Sequence, residues 1–202
     1  MNLDLFNNGV HSIYHSLLEI KSAEEQIETN KSFDHDDHII HWKDSSGNTS
    51  FYLEGYNKPP ISYGYKFVIL NLIQGIELVL KAFLHDKTDR GIFRGKNGYT
   101  INLHDAIENT LSVKTELLSE EERNLLIRSS DIRNEMQHYE FRYDLDEIRE
   151  LGKRLYFLAS KVVLGLFEVD IKKYFEFDQW TDEEDVVVDV IKNLKTGFYT
   201  SG

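Results

Sequence analysis

The stretch YKFVILNLIQGIELVLKAFL, residues 65–84, decides the fold of this 202-residue chain. Apolar side chains occupy nearly every side of its helical wheel, which is typical of a helix buried at the centre of a protein. Gln74, Glu77 and Lys81 interrupt it, so no segment of the chain approaches the roughly 20 apolar residues that cross a membrane. The sequence therefore predicts a central core helix and no membrane association.

The segments before this helix predict another helix and a β-hairpin. Residues 8–29 carry apolar side chains at helical spacing. That face consists of Val10, Ile13, Tyr14, Leu17, Leu18 and Ile20. Residues 38–56 then show two alternating or aromatic runs around a Ser-Ser-Gly-Asn turn, which is typical of a hairpin. Pro59 and Pro60 close this insertion before the central helix.

Capping residues predict the helices that follow a Gly-rich basic loop at 88–100. Asn102 can cap a third helix, and Ser119 with Glu122 forms a capping box for a fourth that extends to about Tyr139. Asp144 caps a fifth helix, which could extend to Phe175. Phe67, Leu70, Ile73, Leu78 and Leu80 of the central helix are expected to be mostly buried. The chain should therefore be mainly α, a bundle of about five helices with a small β-hairpin insertion.

The end of the chain, residues 179–202, is interpreted as an extension of the bundle. Thr181 with Glu184 predicts a short helix over residues 182–194. The run VVVDVI favours a strand in the same place, so both interpretations stay open.

Composition restricts the class of protein. The chain has no cysteine, which excludes a disulfide scaffold, a thiolate metal site and a cysteine nucleophile. Its net charge of −12 argues against a general nucleic-acid coat. A basic segment at residues 87–96 carries four Lys or Arg against one Asp, so a local grip on a nucleic acid is compatible with the acidic total. Its start lacks a basic region followed by an apolar run, so we expect a cytoplasmic protein.

The stretch SSDIRNEMQHYEF, residues 129–141, places unusually many polar side chains on the fourth helix. Each residue of a helix turns by about 100°, so Arg133 and His138 lie about 140° apart. They can share one site only if the helix loosens near His138, or if two copies of the helix face each other across a two-fold axis. An ordinary polar helix end is the alternative interpretation.

Three segments of the chain together match the pattern of one known superfamily. They are RNEMQH at residues 133–138, GIELVLKAFLHDK at residues 75–87 and INLHDAIEN at residues 101–109. RNEMQH matches the R-polar-x-x-x-H motif of the HEPN superfamily (higher eukaryotes and prokaryotes nucleotide-binding), and the other two segments resemble its central helix and the segment that follows it. The resemblance covers residues 61–165. It implies a HEPN-like domain over residues 1–178, with residues 30–60 as a hairpin or loop insertion.

HEPN proteins include metal-independent ribonucleases and inactive relatives that bind a nucleotide or a partner protein. The ribonuclease resemblance implies Arg133 and His138 as catalytic residues and Asn134 and Glu77 as supporting ones, with Asn134 holding either Arg133 or the ribose. It also implies an RNA substrate, products with 2′,3′-cyclic phosphate ends, a homodimer, no cofactor, and a toxin or phage-defence setting with a possible antitoxin partner. Glu77 is expected to orient Arg133. An intrahelical pair between Glu77 and Lys81 is the alternative.

Further residues are expected to border the RNA path. Arg90 and Arg94 belong to the basic loop, and Tyr139 and Arg142 follow the motif closely. A core aromatic and a surface charge are the ordinary roles for the latter two.

Two other interpretations remain. A helical adaptor could use the hairpin as a docking edge. His35, His38 and His41, with three neighbouring Asp, could hold a metal ion. Because period-three spacing does not gather ligands in a loop or strand, we expect no metal site.

Overall fold

A computed structural model describes residues 4–31, 39–43, 49–53, 61–88, 91–94, 99–138, 144–177 and 190–194. Within these ranges the protein is mainly helical, as predicted. The helices are α1 (Leu5–Lys31), α2 (Ile61–Lys87), α3 (Leu103–Leu111), α4 (Glu120–His138), α5 (Leu145–Phe167) and α6 (Ile171–Phe177). Residues 190–194 are also helical, which favours the helix interpretation for that part of the extension. The rest of the extension lies outside the described residues.

The helix α2 is the central element. It packs against α1, α3, α4 and α5. Its apolar stretch from Gly64 to Lys87 is long and apolar enough to span a membrane, so the prediction that no segment approaches this limit was wrong. Within the fold, however, 67% of its most apolar window is buried, as in the core helix of a soluble protein.

Two glycines bring α1 and α2 into close contact. A Cβ atom at Gly75 would lie 2.9 Å from the carbonyl oxygen of Gly9 and 2.6 Å from Ile13. A Cβ at Gly9 would meet the carbonyl of Gly75 at 2.9 Å. Because neither residue has a side chain, the backbones approach and α1 covers one long side of α2. This contact lies directly before Glu77 on α2.

The predicted caps of the third, fourth and fifth helices are present, whereas Thr181 and Glu184 lie outside the described residues. The side chain of Asn102 accepts the backbone N–H of Asp105 at 2.8 Å, and Asp144 accepts the N–H of Asp146 at 2.9 Å. Ser119 and Glu122 form a reciprocal capping box, with distances of 2.7 and 3.2 Å. These bonds satisfy N–H groups that have no partner in the first turn of a helix.

The predicted hairpin is a two-stranded antiparallel sheet of β1 (Ile39–Lys43) and β2 (Thr49–Leu53). Its register pairs Ile39 with Leu53 and Lys43 with Thr49. A second antiparallel pair, β3 (Phe93–Arg94) and β4 (Tyr99–Thr100), lies within residues 88–100, which were predicted to be a Gly-rich basic loop. Buried Ile92 and Ile101 anchor this second pair, and they are joined by a backbone hydrogen bond of 2.8 Å.

Two further predictions were wrong. The fifth helix does not extend to Phe175, because Glu168 adopts a left-handed conformation with φ of 60° and ends α5. Phe67 is exposed rather than buried, whereas Ile73 and Leu80 are buried and Leu70 and Leu78 partly so. Phe67 lies two turns before exposed Gln74 on one stripe of α2, and the neighbouring helices leave this stripe open.

Candidate functional site

Glu77 links the central helix to α4. One carboxylate oxygen, Oε2, accepts a hydrogen bond from Arg133 Nη1 at 2.8 Å. The other, Oε1, accepts a hydrogen bond from Lys81 Nζ at 2.6 Å, one helical turn further along α2. The ion pair expected between Glu77 and Arg133 and the intrahelical pair offered as its alternative are therefore both present.

Lys81 extends this cluster to the second strand pair. Its ammonium group also donates to Thr100 Oγ1 in β4 at 3.0 Å. The Lys81 side chain is only 8% exposed, so its charge needs these partners. We call Glu77, Lys81, Arg133 and Thr100 the Arg133 cluster.

The Arg133 cluster carries more positive than negative charge. Its two cations share the single carboxylate of Glu77, and neither contacts a second acidic group within the described residues. The charge is partly shielded from water, which strengthens its attraction for an anion. An anion arriving at the cluster would balance it.

The guanidinium of Arg133 has capacity left for a ligand. Its side chain remains 25% exposed, so the group can be reached from solvent. Its Nε atom is buried and has no hydrogen-bond partner in the described part of the chain. A buried donor left unpaired costs about 1–3 kcal/mol, and because protein atoms cover Nε, a ligand would contact the exposed part of the Arg133 side chain instead. A phosphate group offers several oxygens to the planar fork of arginine donors.

The helix α4 separates the two motif residues. It continues to His138 as a helix, so the loosening before His138 that would bring the pair together in one chain is not observed. The helical period places position 138 on the stripe of Asp131 and Asn134, which are exposed, whereas Arg133 lies beside the side that buries Ile132 and Met136. The side chain of His138 lies outside the described part of the structure.

Asn134 does not support Arg133 in the way that was expected. Its side chain is exposed and makes no hydrogen bond to Arg133. Because each residue of a helix turns by about 100°, Asn134 points away from the side of α4 on which Arg133 contacts Glu77. A contact of Asn134 with a ribose stays a prediction.

Most of the expected substrate-binding residues lie beyond the part of the chain that the structure describes. Arg90, Tyr139 and Arg142 lie outside the described residues, and only the backbone of Arg94 is described, in β3. Of the three histidines considered as metal ligands, His35 and His38 lie outside the described residues, and only the backbone of His41 is described, in β1. Within the ranges that are described, no three His, Asp or Glu side chains gather as metal ligands would.

A second buried charge cluster was missed by the sequence analysis. Glu24 of α1 accepts two hydrogen bonds from the guanidinium of Arg149 in α5, at 3.0 and 2.9 Å, and one from the hydroxyl of Tyr65 in α2. The sequence does contain a signal for it. Glu24 follows Ile20 by four residues on the apolar stripe of α1, and Arg149 follows Ile148 on the apolar side of α5.

Comparison of the chain with protein-family models, with curated proteins and with solved structures finds no match.

Proposed function

We propose that the protein is a metal-independent endoribonuclease of the HEPN type that acts as a homodimer. The observation that supports it best is Arg133, which is oriented by Glu77, reachable from solvent and part of a cluster with surplus positive charge. Such a group is suited to hold a phosphodiester. It lies five residues before His138 on one helix, as in the motif RNEMQH.

In the proposed reaction Arg133 neutralises the phosphate as negative charge builds up on its oxygens. A histidine removes the proton from the 2′-hydroxyl, which attacks the adjacent phosphorus. A second proton donor protonates the departing 5′-oxygen. The products are a 2′,3′-cyclic phosphate and a free 5′-hydroxyl. Histidine suits both proton transfers because its pKa lies close to neutral pH.

The homodimer is proposed because one copy of α4 separates its two motif residues. An uninterrupted helix holds Arg133 and His138 about 140° apart. Two copies related by a two-fold axis would bring two histidines to one composite site, one as base and one as acid. We expect the 128–142 segments to lie near that axis.

The biological setting rests on the resemblance alone. We propose a toxin or a phage-defence effector in the cytoplasm, with an antitoxin as a possible partner. The second candidate function is a non-catalytic module that binds a nucleotide or a protein partner. The same surplus charge at Arg133 would serve it, because binding an anion needs no proton transfer.

The test is RNA cleavage by the purified protein in EDTA, with a mixed pool of RNA as substrate. We expect cleavage to persist in EDTA, to weaken as salt rises, and to follow a bell-shaped pH profile near neutrality. Arg133→Ala and His138→Ala should each lower the rate at least about a hundredfold. Arg128→Ala is the matched control, because Arg128 is an exposed arginine of the same helix outside the Arg133 cluster.

Two outcomes would reject the nuclease. If Arg133→Ala and His138→Ala both cleave like the unaltered protein, the activity belongs to another site or to a contaminant. If the unaltered protein cleaves nothing while it folds and dimerises, the non-catalytic module is the better proposal. Light scattering tests the dimer separately, and a monomer at micromolar concentration would contradict the composite site.

A further inference from the structure

We infer that Phe93 is a stacking platform for an unpaired nucleobase beside the Arg133 cluster. This inference rests on the proposed function, because it names the part of a single-stranded RNA that the same site would hold. It adds a binding residue that lies outside the motif RNEMQH and outside the helices α2 and α4 that carry the charges of the cluster.

Contacts connect Phe93 to Arg133 through the second strand pair. Arg133 and Lys81 share the carboxylate of Glu77, and Lys81 donates to Thr100 at 3.0 Å. Thr100 is the cross-strand partner of Phe93 in the register of β3 and β4. Cross-strand partners have Cβ atoms about 4.5–5.5 Å apart and point to the same face of a sheet. Phe93 is therefore a direct neighbour of Thr100, the residue that accepts the hydrogen bond from Lys81.

Within the described residues, the face of the strand pair that carries Phe93 is open to solvent. Side chains alternate along each strand, so Phe93 and Thr100 point away from the buried pair of Ile92 and Ile101. Phe93 is 47% exposed, and its neighbour on this face, Thr100, is exposed as well. A large apolar side chain in this position does not contribute much to the core.

Charge selects the occupant of this face. A nucleotide strand combines a phosphate with a flat apolar base, and here a surplus positive charge lies next to an open aromatic ring. The strand β3 also belongs to the segment 87–96, which has four basic residues and one acidic residue in an otherwise acidic chain. Stacking of a base on an aromatic ring contributes to binding whatever the base is, so the platform fits single-stranded RNA of mixed sequence.

The same strand pair supplies a control residue. Tyr99 is 72% exposed, and its register partner is Arg94. By the alternation of the strands it points to the face opposite Phe93 and Thr100. A substitution there removes an exposed aromatic from the same short element without touching the face next to the cluster.

The experiment measures binding rather than cleavage. Fluorescein-labelled uridine and adenosine dodecamers are titrated with the full-length His138→Ala protein, and fluorescence anisotropy gives the Kd. In that background we expect Phe93→Leu, which keeps the apolar bulk, to raise the Kd about tenfold for both oligonucleotides. Phe93→Trp should restore binding, and Tyr99→Ala should change the Kd less than about twofold. A dodecamer of abasic sugar phosphates should bind equally to the His138→Ala protein with and without the Phe93→Leu substitution.

The outcomes separate this inference from the proposed function. If the His138→Ala protein binds RNA and Phe93→Leu does not weaken that binding, the platform is refuted and the nuclease proposal stands. An equal loss in Tyr99→Ala would refute it too, because the effect would then come from general exposed aromatic surface. If the unaltered protein neither binds nor cleaves RNA, both proposals fail.

Discussion

Two glutamate–arginine pairs connect helices of the bundle, and they differ in how many hydrogen bonds the arginine donates to the glutamate. In the first pair, Arg149 gives two hydrogen bonds to Glu24, and Tyr65 gives a third to the same carboxylate. In the Arg133 cluster, Arg133 gives one hydrogen bond to Glu77 and keeps a buried Nε without a partner in the described part of the chain. We call the first the closed pair and the second the open pair.

The difference indicates two roles. Around Glu24 the charges are paired and hydrogen-bonded, which is the condition under which burying them is tolerated. Around Glu77 two cations share one carboxylate, and an unpaired donor remains, so the arrangement has a cost that the fold does not recover. A bound anion would balance the surplus charge of the two cations. The closed pair thus holds three helices together, whereas the open pair has the surplus positive charge that the proposed RNA phosphate would neutralise.

The largest expected effect is the loss of the closed pair. Glu24→Ala would leave Arg149 and Tyr65 without their shared acceptor, in a place where Arg149 is only 15% exposed. Arg149 keeps its ion pair with Asp146 at 3.1 Å, but that carboxylate is 88% exposed and does not replace the buried one. We therefore expect a loss of about 3 kcal/mol in the free energy of unfolding. Urea unfolding followed by circular dichroism measures it.

The matched control is the adjacent residue, Glu25. It is 64% exposed and pairs with Lys21 one turn away at 3.5 Å. Glu25→Ala should change the free energy of unfolding by less than about 0.5 kcal/mol, since exposed pairs of this kind contribute little. Similar losses in the two variants would show that the closed pair has no special structural weight.

A smaller effect on stability is expected at the open pair. Arg133→Met keeps much of the side-chain volume, removes the surplus charge and the unpaired donor, and leaves Glu77 bound to Lys81. We expect the free energy of unfolding to stay within about 1 kcal/mol of the unaltered protein or to rise, because the substitution removes an unpaired buried donor. Arg149→Met should cost substantially more, because it leaves Glu24 buried without its cation.

Equilibrium unfolding of both variants decides the point. The comparison between the pairs would be wrong if Arg133→Met destabilised the protein as strongly as Arg149→Met. In that case Arg133 would be a structural residue, and the loss of cleavage in Arg133→Ala would have to be attributed to misfolding.

Local patterns explain what could be predicted from the sequence. The apolar pattern of residues 65–84 indicated the central helix because it is continuous in sequence. The capping side chains indicated where helices begin, because each capping hydrogen bond joins residues within one helical turn: these are Asn102, Ser119, Glu122 and Asp144. The Glu77–Arg133 contact was expected only through the resemblance, since it joins residues 56 positions apart.

What could not be predicted depends on contacts distant in sequence. Whether Phe67 is covered depends on how far the neighbouring helices extend along α2, and no local pattern records that. The contact of Lys81 with Thr100 requires the strand pair β3–β4, whose strands have two residues each and therefore too short a pattern to recognise. The end of α5 is set by the left-handed backbone of Glu168, a conformation that residues other than glycine adopt infrequently.

The smallest expected loss of stability belongs to a surface pair, which serves as a reference for the two buried pairs. Glu122 closes the capping box of α4 and also accepts hydrogen bonds from Lys161 of α5 at 2.8 and 2.7 Å. Partial burial by itself raises the pKa of Glu122, but the hydrogen bonds from Lys161 and Ser119 outweigh it and lower the pKa below the usual 4.5. A lowered folded-state pKa means that the stabilisation is present above pH 4.5 and is lost as the pH falls through the folded-state value.

Glu122→Gln should therefore cost about 0.5–1 kcal/mol at neutral pH, and the difference from the unaltered protein should shrink as the pH falls below the unfolded value. Glu120→Gln is the control, because Glu120 shares the first turn of α4 but pairs with no cation in the described part of the chain. Urea unfolding at neutral and acidic pH measures both variants, and a Glu122→Gln difference that did not depend on pH would assign the stabilisation to the shape of the cap rather than to its charge.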